Sequence, residues 1–214
     1  LKTFVLIPVK KLSESKKRLS GILKPKERRD LVIFMLSDVL NTVSSFTAYQ
    51  TVVIGSDNRV KRLAEKFDAY FIPDPGRGLN QSLHYAIKWC LRMGAKAVLI
   101  LPADIPLLTE RDLERIACFS GEYSVVASPS RDGGTNALML NPPDVMEPLF
   151  GNRSFEKHIR EASKKGISLR IYRSPTILID VDSVEDLKVL LEAGKNKLSR
   201  DFLMRIKIDE RLCR

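Results

Sequence analysis

Cysteine is scarce in this sequence: 214 residues hold three, Cys90, Cys118 and Cys213, with no pairing motif and no zinc-ligand spacing. That excludes a disulfide scaffold or a structural zinc module. Neither is required at this length, because roughly 70% of the unfolded chain's surface can be buried. Cys90 and Cys118 fall in helical apolar patterns and read as buried thiols in a reducing compartment. No apolar run approaches the ~20 residues of a membrane span, and the strand-like start over residues 1–9 lacks signal-peptide anatomy. A soluble cytoplasmic protein is expected. Histidine is limited to two residues, and no Ser–His or Cys–His constellation marks nucleophilic catalysis. Helix-turn-helix, zinc-finger and aromatic-rich RNA-binding signatures are missing too. The net charge of +10 therefore points to small polyanions such as nucleotides. A basic nucleic-acid-binding module is kept as the alternative outside enzymes.

What is present is an alternation of short β-branched runs and longer helical patterns. Strands are expected over 3–9, 51–55, 69–72 and 97–101, the last so continuously apolar that it should be central. Helices are expected from Pro25 in the favoured first-turn position, through 60–67, and over 79–93 with Gly94 as a left-handed cap. Thr109, with Asp112 three residues on, should cap another helix. Residues 124–128 and 136–140 read as strands around a Gly-Gly turn. Ser154 opens a helix ending near Gly166, 169–172 and 176–179 read as short strands, and 183–193 as a helix capped by Ser183. Early strand–helix alternation implies parallel strands, and the strand-rich middle implies antiparallel edges. The expected fold is a three-layer α/β/α, Rossmann-like arrangement over residues 1–194. A basic, amphipathic segment follows over 195–214, either a surface helix or a dimer element.

Three acids carry the chemistry. Asp104, in Leu101-Pro-Ala-Asp104-Ile-Pro, stands just past the carboxyl end of the central strand, where α/β folds bind ligands. A turn or capping role is its bland alternative, weakened because Thr109 already fills the cap. Asp180 and Asp182 in Ile179-Asp-Val-Asp-Ser183 are at alternate positions, so both leave a strand on one side, spaced to share a hard cation. Asp182 could instead only start the following helix. Without histidine or cysteine nearby, Mg²⁺ fits such a set better than Zn²⁺.

Four loops add anion-binding character. Lys10, Lys16 and Arg18 follow the first strand, where cations suit phosphates, although charge runs are usually solvated faces. In Asp132-Gly-Gly-Thr135-Asn136, a hairpin turn competes with a reading in which the amides of Gly133 and Gly134 and the Thr135 hydroxyl approach an anion. Gly151 and Ser154 lie at a helix start, where the dipole and amides favour anions, and His158 follows one turn later on the same face. Gly78 and Asn80 precede another helix, and Asn80 could cap it or read a base edge.

As an ordered set these segments resemble the 2-phospho-L-lactate guanylyltransferases of coenzyme F420 biosynthesis, from about Phe4 to Leu191. The resemblance rests on Pro8-Val-Lys with Lys16-Lys-Arg-Leu19, Asp74-Pro with Gly78-Leu-Asn80, Leu101-Pro-Ala-Asp104-Ile-Pro-Leu-Leu, Gly133-Gly-Thr-Asn-Ala137, Phe150-Gly151 with Ser154-Phe155 and His158, and Asp180-Val-Asp182 with Glu185-Asp-Leu187. It implies a nucleotidyltransferase fold related to sugar-nucleotide synthases. It also implies Mg²⁺ on Asp104 and Asp182 with Asp180 nearby, and GTP near Pro8, Lys10, Lys16, Arg18, Gly78 and Asn80, the guanine on the Asn80 side. The acceptor's phosphate and carboxylate would sit at Thr135, Gly151 and Ser154. Asp104, Asp182, Lys16 and Arg18 would carry catalysis. Lys11 stands where many relatives have proline, and Asp132 where many have a third glycine.

The acceptor implied is 2-phospho-L-lactate, which would suit an archaeal methanogen, or a related acid such as phosphoenolpyruvate. Its nucleophile would be a phosphate oxygen, already anionic, so no general base is needed. Another Mg-dependent nucleotidyl or sugar-nucleotide transferase is the alternative among enzymes.

Overall fold

The computed structural model describes residues 2–212. Among them, β1 (Thr3–Pro8), β2 (Tyr49–Gly55), β3 (Tyr70–Pro73), β4 (Ala97–Ile100), β5 (Val125–Pro129), β6 (Thr135–Leu140) and β7 (Leu169–Ile171) form one sheet. Their order is β3-β2-β1-β4-β6-β5-β7, so β4 is central, as its unbroken apolar sequence requires. Only β6 runs against its neighbours. The antiparallel strand expected at an edge therefore lies inside the sheet. The β5–β6 hairpin inserts β6 beside β4, and β7 closes the edge parallel to β5.

The helices are α1 (Pro25–Ser45), α2 (Asn58–Lys66), α3 (Leu79–Arg92), α4 (Glu110–Ser120), α5 (Ser154–Lys164), α6 (Pro175–Leu178), α7 (Val184–Ala193), α8 (Leu198–Arg205) and α9 (Ile208–Leu212). Because strand side chains alternate, Val5 and Ile7 of β1 join α1, α2, α4 and α7 in one core, while Phe4 and Leu6 join α3 and α5 in the other. These two cores and the sheet between them make the three layers. Local signals explain the helix ends. Thr109 accepts the Asp112 amide, the Asp112 carboxylate accepts the Thr109 amide in return, and Ser183 and Asp186 repeat that exchange before α7. Gly94 ends α3 at φ +81, a conformation that costs glycine little.

Two local readings change. Residues 176–178, expected with Ile179 to form a strand, belong instead to the short helix α6, and Ile179 follows it in an extended conformation. Pro175 presets a helical φ at its first position, and the Leu178 carbonyl accepts the Arg131 amide. Cys90 is buried, but Cys118 is exposed, because it lies on the face of α4 opposite the buried Leu113 and Ile116. Cys213 lies outside the described residues. No helix among the described residues is long and apolar enough to cross a membrane.

The basic segment after Gly194 folds against α1. Phe202 stacks on Phe34 with ring centroids 4.9 Å apart, and Leu203 and Ile208 are fully buried. The N-terminus of α8 is capped from outside its own helix. Asp38 of α1 accepts the amides of Leu198 (2.7 Å) and Ser199 (2.9 Å), which satisfies donors that no residue within α8 reaches. Burial raises the Asp38 carboxyl above its ordinary range despite these bonds. Residues 195–212 thus complete one of the two cores. Replacing Leu203 by Ala should destabilise the whole fold by about 2–5 kcal/mol, measured as one cooperative urea transition moved to lower denaturant. A loss under 1 kcal/mol would mean α8 is only loosely attached.

Candidate active site

The carboxyl ends of β1 and β4 open into a cleft of about 790 Å³. Of the site residues named from the sequence, Asn80, Gly133 and His158 are outside its lining. Pro8, Lys10, Lys16, Arg18, Gly78, Thr135, Gly151 and Ser154 all line it, with Asp104, Asp180 and Asp182 also in the wall.

The three acids meet through backbone pairing. After β4 the chain still follows β1, the Leu101 amide donating to the Leu6 carbonyl, and Pro102 then stops it. The Asp104 carbonyl accepts the Val181 amide at 3.0 Å, docking residues 179–183 against the strand end. This segment follows α6 and is not itself a strand. The chain bends at Val181, which drops into the core at 0% exposure, while Asp180 and Asp182 on either side of it line the cleft.

Lys16 completes the centre. It lies between two 3-10 turns, Leu12–Glu14 and Lys17–Leu19, in the left-handed region at φ +54, which is uncommon without glycine. Its ammonium donates to Asp104 Oδ2 at 2.5 Å and to Asp182 Oδ1 at 2.6 Å. The Lys16 side chain is 5% exposed, against 26% for Asp104 and 42% for Asp182. Burial opposes its charge, but the carboxylates of Asp104 and then Asp182 outweigh that penalty. Its pKa ends above the usual lysine range. A backbone strain of the kind that clusters at functional sites is held here by two ion pairs.

The donors suit a hard divalent cation. Two carboxylate oxygens already converge on one positive centre, and among the described residues that line the cleft there is no histidine or cysteine. Among the described residues no group of three or more acidic, histidine or cysteine side chains is placed to hold a metal ion alone. Two carboxylates completed by substrate phosphates is the usual Mg²⁺ arrangement. Asp180 stands apart from the pair: Asn136 Nδ2 donates to it at 3.2 Å and to the Ile177 carbonyl at 2.8 Å. Burial first, and then the nearby Asp104 charge, push Asp180 up to about 6, so it adds little negative charge in mildly acidic solution.

Of the two readings left open for residues 132–136, the hairpin turn holds, and the α5 terminus offers fewer free amides than expected. The Gly133 amide donates to the Ser130 carbonyl and the Gly134 amide to Asp132 Oδ1, so both are committed within the turn. A Cβ on Gly134 would come within 2.6 Å of Ser130 Oγ, which is why the tight turn needs glycine there. Asp132 accepts from Ser130 Oγ as well. That hydrogen bond, then the Gly134 amide and the Arg18 charge, hold its carboxyl below the usual range in spite of partial burial. The first α5 amides are also committed, Ser154 to the Gly151 carbonyl and Phe155 to the Gly133 carbonyl. Asn80 neither caps α3 nor faces the cleft. Its amide donates to the Phe150 carbonyl at 3.0 Å and accepts the Phe150 amide at 2.8 Å, tying two loops together. Anion-binding capacity on this side therefore rests on hydroxyls: Thr135 Oγ1 and Ser154 Oγ are 3.0 Å apart, both buried in the wall.

Sequence reasoning gave no role to Asn136, to Ser130, or to Asp74, whose carboxylate accepts from Ser82 Oγ and the Gly76 amide and shapes the loop before α3. A polar residue inside an otherwise apolar strand was the available signal for Asn136. His158 is fully buried; burial, then the Lys157 charge, push it down to about 4. It is neutral in the folded protein, while the unfolded chain takes up a proton below about 6.5. Its contribution to stability is therefore complete above about pH 6.5 and is lost as the pH falls through about 4, up to roughly 3 kcal/mol. His158→Gln should lose less stability between pH 7.5 and 4.5 than the parent protein, by urea unfolding at each pH. Equal losses would contradict this account.

Comparison with known proteins agrees with this geometry. The family described as "Guanylyl transferase CofC like" matches residues 3–213. A phosphoenolpyruvate guanylyltransferase of Sphaerobacter thermophilus is 36% identical over 190 residues, 88% of this chain and 92% of its own length. A 2-phospho-L-lactate guanylyltransferase of Methanocaldococcus jannaschii is 32% identical over 210 residues, 98% of this chain and 91% of its own. Among solved structures, a Desulfovibrio desulfuricans G20 protein described as a nucleotide-diphospho-sugar transferase superposes with a TM-score of 0.82 at 16% identity, covering 99% of this chain and 97% of that one. A 4-diphosphocytidyl-2C-methyl-D-erythritol synthase from Anaerococcus prevotii gives 0.63 at 12%, covering 91% and 99%. At such identities these two speak for the fold alone, whereas the family match spans nearly every residue. The chain belongs to the CofC-like guanylyl transferase family.

Proposed function

We propose that this protein transfers a guanylyl group from GTP to a phosphorylated carboxylic acid, 2-phospho-L-lactate or phosphoenolpyruvate, as a step of coenzyme F420 biosynthesis. The observation that carries the chemistry is the Lys16 ammonium shared by Asp104 and Asp182 at the cleft floor. Carboxylates from two distant parts of the chain would not be gathered there without a cation to neutralise them. The relatives named for the two acids match at 36% and 32% identity, and they come from different kinds of organism. Similarity alone therefore does not rank the acceptors, and an archaeal source does not follow from it.

A phosphate oxygen of the acid attacks the α-phosphorus of GTP. The new P–O bond forms as the bond to the β-phosphate oxygen breaks, and pyrophosphate leaves. That oxygen is already anionic, so no side chain has to remove a proton, in keeping with a cleft that presents no histidine. Asp104 and Asp182 would hold Mg²⁺, which when bound supplies charge neutralisation at the phosphates. Lys10 and Arg18, exposed at the rim, meet the triphosphate first. Lys16 would turn from the carboxylates to the phosphates as positive charge is supplied from elsewhere. Thr135, Gly151 and Ser154 hold the acid opposite the nucleotide, so the chain contributes alignment and fixed charge.

Three outcomes are expected. Pyrophosphate release should require GTP, Mg²⁺ and one of the two acids together, with ATP and CTP much poorer. Asp104→Ala should lower kcat by several orders of magnitude while far-UV circular dichroism is unchanged; an active Asp104→Ala protein would remove the carboxylate pair from the chemistry. Lys16→Met should leave the two carboxylates facing each other without a counter-charge. Mg²⁺ alone, without nucleotide, should then raise its melting temperature more than it raises that of the parent protein. Identical Mg²⁺ shifts in both would mean that the ammonium and the ion do not share one position.

A further inference from the structure

The buried His158 has had no part in the transfer so far, yet its hydrogen bonds decide what the acceptor side of the cleft can offer. Its Nε2 lies 2.9 Å from the Leu149 amide nitrogen, and its Nδ1 lies 3.0 Å from Thr135 Oγ1. A backbone amide can only donate, so Nε2 is an acceptor and carries no hydrogen. A neutral ring must then hold its hydrogen on Nδ1, and Nδ1 donates to Thr135 Oγ1.

The consequence follows from counting hydrogens. Thr135 and Ser154 have one hydroxyl hydrogen each, and only one of these can lie between their oxygens, 3.0 Å apart. With Nδ1 as donor, Thr135 gives no hydrogen to the ring, so one of the two is left over for the cleft that both residues line. With the opposite tautomer, Thr135 would donate to Nδ1 and Ser154 to Thr135, and neither hydroxyl would have a hydrogen left. The Leu149 amide thus sets the tautomer, the tautomer sets the direction of the hydroxyl pair, and the pair becomes a net donor. The same bond fixes Leu149, while Asn80 fixes both backbone groups of Phe150, so Gly151 is presented by a loop held at two successive residues.

We propose that His158 is a positioning residue for the acceptor: through Nδ1–H it turns the Thr135–Ser154 hydroxyl pair into a hydrogen-bond donor for an oxyanion, the phosphate or carboxylate of the acid. This rests on the assignment of Thr135, Gly151 and Ser154 to the acceptor. His158 touches no substrate itself, and its neutrality, favoured by burial, keeps the chain of donors pointing one way.

Steady-state kinetics on four variants tests the idea. Thr135→Val should raise KM for the phosphorylated acid about tenfold or more, with KM for GTP within about twofold. His158→Phe should do the same. His158→Gln, whose carbonyl can accept from Leu149 and whose NH₂ can donate to Thr135, should recover to within about threefold of the parent. The double variant Thr135→Val/His158→Phe should be no worse than Thr135→Val alone, because both remove one donor chain. Full multiplication of the two effects would overturn the proposal, as would an unchanged acid KM in His158→Phe while Thr135→Val raises it. If Thr135→Val leaves the acid KM unmoved, the acceptor assignment fails instead. Imidazole ¹⁵N NMR of the unaltered protein serves even if the phenylalanine variant does not fold. A neutral His158 protonated on Nδ1 at pH 7 is expected, and the Nε2–H tautomer would refute the inference.

Discussion

One shared cation position organises this molecule: a lysine ammonium gripped by carboxylates from two widely separated parts of the chain. Asp104 ends the central strand, Asp182 precedes α7, and Lys16 belongs to the first loop, so a single small volume fixes three connections relative to one another. Removing the buried lysine would leave two carboxylates without their counter-charge, which is costlier than losing a solvated pair. Both carboxylates keep some solvent access, while the lysine between them is buried. The unusual backbone of Lys16 is explained by the same contacts.

Around that centre the sheet gathers residues from two chain directions. Parallel strands β1, β2 and β4 deliver the cationic loop and Asp104, whereas the β5–β6 hairpin, placed inside the sheet, delivers Thr135 and Asn136 from the opposite chain direction. An antiparallel strand beside the central one lets its starting residue stand next to the final residues of its neighbours. Residues from both chain directions thereby line one cleft.

Much of this was legible in the sequence. Strand and helix periodicity, Pro25, Gly94, and the Thr109 and Ser183 caps located the elements, and acids past apolar strands located the cleft. What was not legible was partner choice. Lys16 reads as a cation for phosphates, and only the fold shows it paired with Asp104 and Asp182. Gly133 and Gly134 looked free to meet an anion, but the Asp132 and Ser130 groups of their own turn take their amides. Pro175 overrode the β propensity of residues 176–178, and one helical face placed Cys118 outside. His158 could be placed on the Ser154 face from spacing, but its tautomer depends on a backbone amide nine residues before it, which no sequence pattern encodes.

The Asn80–Phe150 contact has a mechanical meaning. A side-chain amide that gives and takes one hydrogen bond with a single residue's backbone imitates a rung of a β-ladder, but joins two loops that belong to no common sheet. The spacing between the glycine-bearing turn before α3 and the turn before α5 is therefore gauged by the reach of one asparagine. A side chain longer by one methylene would spread these turns, and a shorter one would release them, so the width of the groove is written into a residue that does not line it.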